Sequence, residues 1–138
     1  MSQLLSRRYN TRALAIQALY AWHISDNGIL RVAEDTLVDR DSDVPLDFEY
    51  YKTLVIEVAK NLSDVQAAFV PFLDRDVSKM TPIELSILRL AVYELLFQRE
   101  IPCKVVINEA IELAKQFGAQ SSHKYINGVL DKVSKTLV

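Results

Sequence analysis

One cysteine, three glycines and four prolines are all that 138 residues hold. A lone thiol, Cys103, cannot close an internal disulfide, which fits a reducing compartment. So little glycine and proline leaves no room for long structureless segments. No apolar run approaches the roughly 18 residues that a membrane-spanning helix needs. The first residues place their arginines after their leucines and contain neither a signal-peptide core nor a cleavage site. These absences lead to the expectation of a soluble cytoplasmic protein with no membrane association.

The chemistry of catalysis is missing as well. His23 and His123 fall in different predicted helices, with no cysteine or carboxylate at ligand spacing, so no metal is expected. There is no glycine-rich phosphate loop. Cys103 lies in no nucleophile motif. Glu109 and Glu112 could pair for acid–base work, but on an amphipathic helix they read more simply as a solvated face. The expectation is a protein that is not an enzyme and carries no cofactor.

What is present is a large apolar fraction, 50% of the chain, enough to form the core of one domain over residues 1–138. The pattern is helical almost throughout. A first helix is predicted from about Arg7 to Ile24, with Ala15, Ala18, Leu19 and Trp22 on one face, and "SDNG" (25–28) ends it. A second spans about Ile29 to Val38, followed by the acidic, turn-rich "DRDSDVP". A third carries Phe48, Tyr51, Leu54, Val55 and Val58. "SDVQ" (63–66) reads as a capping box opening a fourth, which ends near Leu73. In "TPIE" (81–84), Thr81 is a good N-cap, Pro82 suits the first helical position and Glu84 completes a capping box. The fifth helix that it opens is so apolar that burial on most sides follows. Pro102 ends it. A sixth runs from about Lys104 to Phe117, with Gly118 as the C′ residue. A last helix carries Ile126, Val129, Leu130 and Val133. Gly128 inside that helix suggests close packing or ligand approach.

The formal charge of −2 hides an asymmetry. Residues 1–25 carry Arg7, Arg8 and Arg12 and no acid. Residues 115–138 carry Lys115, Lys124, Lys132 and Lys135 against Asp131, so each end is +3 and the middle −8. Two of these clusters are predicted at helix starts. Ser6 as a cap puts Arg7 and Arg8 in a first turn, and Ser121 or Ser122 puts His123 and Lys124 in another. Cations there oppose the helix dipole, whereas a bound phosphate would reverse that cost. Tyr9 and Tyr125 set a ring beside each cluster. Cations for phosphates and rings for bases suit single-stranded nucleic acid. Two solvated helix starts are the alternative.

"AIQALYAW" (15–22), "LRLAVYEL" (88–95), "IPCKVVINEAIELAKQFG" (101–118) and "SSHKYINGVLDK" (121–132) closely resemble the NusB family of bacterial transcription antitermination factors. The likeness covers nearly the whole chain, and the block from Pro102 to Lys132 is its most specific part. The resemblance implies an all-α fold of about seven helices in two packed three-helix bundles. It implies binding of the boxA element of nascent ribosomal RNA together with NusE, a small-subunit ribosomal protein. It also implies joining RNA polymerase and other Nus factors to read through terminators, and supporting rRNA synthesis and processing. The family's arginine-rich motif falls on Arg7, Arg8 and Arg12. Its base-contacting aromatic falls on Tyr125, beside Lys124, and a second aromatic of the RNA surface on Phe72. Ser121 occupies a position that is acidic in some relatives, where it weakens RNA binding. NusE contacts fall on Tyr20 and Glu84, whose capping role needs one carboxylate oxygen and leaves the other free. The resemblance further suggests that Gly118 turns the last helix to bring Lys124 and Tyr125 toward the arginines of the first. A purely protein-binding helical adaptor, or a homodimer through the first helix, is the competing reading.

Overall fold

The computed structural model describes residues 2–118 and 120–137, with side chains described from Arg7 onward except that of Gln120. Seven α-helices and three short 3-10 turns account for most of it, and no strand occurs among the described residues. The chain divides into two compact units, residues 1–60 and 61–138.

The first unit holds α1 (Ser2–Ile24), α2 (Ile29–Asp39) and α3 (Phe48–Lys60). α1 packs against both others. It starts four residues before the proposed Ser6 cap, because nothing in "SQLLS" breaks a helix. It stops where "SDNG" supplies turn residues, and Gly28 in extended conformation is the N-cap of α2. Ala15, Ala18, Leu19, Leu54, Val55 and Val58 are fully buried. The Tyr51 hydroxyl donates to the Ala33 carbonyl at 2.8 Å, which satisfies a buried polar group. Burial pushes that phenol far above its usual pKa. Phe48, expected on the apolar face of α3, is exposed, while Tyr50 is buried in its place.

The second unit holds α4 (Leu62–Phe69), α5 (Pro82–Phe97), α6 (Cys103–Gln116) and α7 (His123–Lys135), with 3-10 turns at Val70–Phe72, Val77–Lys79 and Gln120–Ser122. α5 is its axis, packed on α4, α6 and α7. Every residue from Glu84 to Leu95 is buried, as a helix apolar on all sides requires. The "TPIE" capping box forms in both directions, with Glu84 N–H donating to Thr81 Oγ1 and Thr81 N–H to Glu84 Oε1. The proposed Ser63–Gln66 box does not form. α4 begins at Leu62 after Asn61, with no side-chain cap. Gln66 Oε1 instead accepts two hydrogen bonds from buried Arg89, at 3.0 and 2.7 Å. A buried guanidinium needs an acceptor more than an exposed helix end needs a cap. Gly118 takes φ +81 just after α6, the left-handed C′ conformation that favours glycine. A methyl group added at Gly128 would meet nothing within 4 Å, so close packing within the chain does not explain that residue.

Candidate nucleic-acid interface

The start of α7 is built by contacts that cross the second unit. Gly118 turns the backbone out of α6, and the 3-10 turn Gln120–Ser122 feeds it into α7 at His123. His123, Lys124 and Tyr125 therefore occupy the first helical turn, as their spacing predicts. Ser122 is the N-cap residue, yet its side chain makes no cap bond. Its hydroxyl donates instead to Glu84 Oε2.

That bond changes the expected role of Glu84. Its Oε1 accepts from the Thr81 amide at 2.9 Å and the Thr81 hydroxyl at 3.0 Å. Its Oε2, the oxygen left free for a partner in the sequence reading, is taken by Ser122. The residue is only 6% exposed. Burial alone would raise its pKa, but the Ser122 bond and the two from Thr81 outweigh it and hold the carboxyl below its ordinary value. Glu84 is thus a strut that ties the start of α5 to the start of α7, rather than part of an open acidic surface.

Tyr125 is half-buried and held from the loop that follows α4. The Asp74 main-chain N–H donates to its hydroxyl at 3.1 Å. The Arg75 guanidinium carbon lies 4.4 Å from the ring centroid, within cation–π range. Arg75 Nε in turn donates to Asp74 Oδ1 at 2.8 Å. This bond from Arg75 is the chief reason the Asp74 carboxyl sits below its ordinary pKa. Burial, and hydrogen bonding to the Asp74 carboxylate, hold the Tyr125 phenol above its own. Phe72 is half-buried on the 3-10 turn Val70–Phe72, which packs against α7. Lys124 and Ser121 are exposed. Lys124 enters none of the ion pairs among the described residues. Two rings and two cations thus collect around one helix start. The sequence pointed to three of them, and Arg75 was missed. An arginine between two aspartates gives no local sign that it reaches a tyrosine so far along the chain.

The arginines of α1 are arranged differently from expectation. Since the helix begins at Ser2, Arg7 and Arg8 lie beyond its first turn, where the opposing dipole has faded. Arg7 is exposed and Arg8 half-buried. Arg8 stands 3.8 Å over the Tyr50 ring, with its Nε 3.5 Å from Asp47 Oδ2. Arg12, expected on the RNA face, is 3% exposed and lies 6.0 Å from the centroid of the same ring. Tyr50 thus lies within cation–π reach of two like charges four residues apart. Thr11 completes the arrangement by donating to the Arg7 carbonyl and accepting from the Asp47 N–H. The spacing of the arginines was legible, but the tyrosine and aspartate that hold them were not, because both come from the connection to α3 and its first turn. Further along α1, Tyr20 is 38% exposed and Ile24 58%.

Among the described residues no group of three or more histidine, cysteine, aspartate or glutamate side chains gathers where it could hold a metal ion. Nor is any described helix long and apolar enough to cross a membrane.

A profile of the NusB family matches residues 9–135. Among curated proteins, the transcription antitermination protein NusB of Pasteurella multocida (strain Pm70) is 48% identical over 133 residues, 96% of this chain and 92% of its own length. That of Shewanella sp. (strain MR-4) is 45% identical over 128 residues, 93% and 95% of the two chains. Among solved structures, NusB of T. maritima superposes with a TM-score of 0.80 at 30% identity, over 93% of this chain and 90% of that one. A crystal structure of antitermination factors NusB and NusE in complex with dsRNA superposes with a TM-score of 0.82 at 22% identity, over 94% and 97% of the chains. At that identity the likeness speaks for the fold alone.

Proposed function

Since the chain belongs to the NusB family, we propose that it is a transcription antitermination factor, one that binds boxA RNA together with NusE and helps RNA polymerase, with other Nus factors, read through terminators. It acts in the cytoplasm by binding, not by catalysing a reaction, and needs no cofactor. Both units belong to one functional RNA-binding domain, each contributing its own cations.

The observation that carries this reading is the start of α7, where Lys124 is exposed beside a tyrosine already held by Arg75 and the Asp74 amide. A ring fixed in place offers a stacking face at little entropic cost. Lys124, Arg7 and Arg8 serve as phosphate contacts, and Phe72 and Tyr125 as base contacts. Ser121 leaves the approach uncharged. Arg12, being buried, supports its neighbours and touches RNA least. Tyr20 presents the NusE contact on α1, and Glu84 supports NusE binding by holding the start of α5.

The test is a titration of boxA RNA and a scrambled control, with and without NusE, over a range of salt. Three accessible cations at roughly −0.7 each give a slope of log K against log salt of about −2. Binding should favour boxA and strengthen with NusE. Equal affinity for the two RNAs in the presence of NusE would refute the reading and favour a protein-binding adaptor. The exposed Tyr20 and Ile24 of α1, with Leu30 of α2 69% exposed, are the observation on that side, and they suit a homodimer as well.

A further inference from the structure

Arg75 is not among the residues that the family likeness brings to the RNA surface, yet it is the closest cation to the Tyr125 ring among the described contacts. A guanidinium carries five N–H donors in a planar fork. One, on Nε, is spent on Asp74 at 2.8 Å, and no described hydrogen bond uses those on the two Nη groups. The fork is also placed in advance. Its stem leaves a loop whose Asp74 amide is tied to the Tyr125 hydroxyl, and its central carbon lies over the ring, 4.4 Å from the centroid. The carboxylate that neutralises it is exposed, with 64% of the Asp74 side chain accessible. An exposed ion pair of this kind is weak enough to be displaced. The other carboxylate that acts on Arg75, Glu84, is locked by Thr81 and Ser122 and cannot follow the guanidinium.

We propose that Arg75 is a phosphate-contacting residue of the RNA surface and that Asp74 restrains it, the Asp74 carboxylate and an RNA phosphate competing for one guanidinium. The inference rests on Tyr125 being a base-stacking residue. The base takes the ring face opposite Arg75, and Arg75 takes a phosphate of the same or an adjoining nucleotide. Asp74 thereby lowers affinity for any anion and leaves appreciable binding only to a strand that can stack on Tyr125 at the same time.

The experiment is a salt titration of single-stranded boxA RNA, with NusE, against the full-length chain and the variants Arg75→Ala, Asp74→Asn, Asp74→Asn with Arg75→Ala, and Tyr125→Ala. Thermal melting checks that each is folded. Loss of a charge-assisted contact in Arg75→Ala should weaken binding by about 10–150-fold. It should also reduce the salt slope by about 0.7, which a residue that merely steadied Tyr125 would not do. Asp74→Asn should tighten binding by up to about fivefold, the range of an exposed ion pair. That gain should vanish in the Arg75→Ala background, because the two substitutions act on one interaction. Unchanged affinity and slope in Arg75→Ala, with Tyr125→Ala weakened, would overturn the proposal and leave the RNA reading standing. A gain from Asp74→Asn that survives without Arg75 would mean that Asp74 simply repels RNA, and would overturn the competition. No effect from Tyr125→Ala would remove both the RNA reading of α7 and this inference.

Discussion

The bond from Ser122 to Glu84 is the contact whose removal tests the architecture of the site most directly. Ser122→Ala deletes one hydroxyl and leaves Glu84 Oε2 without its donor, in a residue 6% exposed. The two bonds from Thr81 to Oε1 remain. A hydrogen bond to a charged group contributes about 1.5–3 kcal/mol net. For a chain of this size about 3–5 °C of melting temperature corresponds to each kcal/mol, so a fall of roughly 5–15 °C at pH 7 is expected. The effect should depend on pH. Since the carboxyl of Glu84 is held below its unfolded pKa, the stability it contributes is complete above that unfolded value, about 4.3. It disappears as pH falls through the lower folded value. Once Glu84 is protonated the Ser122 bond is an ordinary neutral one, so the gap between wild type and variant should narrow in strongly acidic solution. RNA affinity should drop as well, because Lys124 and Tyr125 follow Ser122 in the same helical turn. Thermal melts from pH 3 to 8, with one RNA titration at neutral pH, measure all of this. A melting temperature within 1 °C of wild type at pH 7, or a deficit that does not shrink on acidification, would show that Ser122 does not hold the start of α7 through Glu84.

Three further outcomes are expected. Tyr125→Ala should weaken RNA binding by about 1–3 kcal/mol; Tyr125→Phe keeps the stacking face and should cost less than half as much, its structural losses being the acceptor for the Asp74 N–H and the hydroxyl's bond to the Asp74 carboxylate, and equal losses in the two variants would argue against stacking. Ser121→Asp adds a carboxylate to an exposed position just before α7, so melting should hold or rise by the equivalent of about 0.3–1 kcal/mol while RNA affinity falls and NusE affinity does not change; unaltered RNA binding would take the start of α7 out of the interface. Arg12→Ala should destabilise the fold by about 1–3 kcal/mol, as loss of a buried charged side chain does, whereas Arg7→Ala should leave the melting temperature within about 0.5 kcal/mol of wild type and reduce the salt slope by about 0.7; a melt of Arg12→Ala that matches wild type would return Arg12 to the RNA surface.

The boundary between what the chain announces and what only folding arranges follows the range of the interactions. "SDNG", "TPIE" and Gly118 mark their helix ends because a turn, a capping box and a left-handed C′ residue are decided within four residues of backbone. Burial of α5 was equally plain, since a helix apolar on every face has nowhere else to go. Lys124 and Tyr125 could be placed in a first helical turn on the same grounds. Where two partners compete, local pattern gives the wrong answer. Gln66 had the spacing of a cap, but Arg89, 23 residues away, needed an acceptor inside the unit. Ser122 stood at a helix start and turned its hydroxyl to Glu84, 38 residues away. Arg12 belonged to a basic motif and ended buried beside Tyr50. Asp74 and Tyr125 are 51 residues apart, and no periodicity connects them. Composition and spacing therefore determined the helices and the residue types of the site. Tertiary packing decided which charges stay available to a ligand, because a charge removed from water must find a partner wherever in the chain one lies.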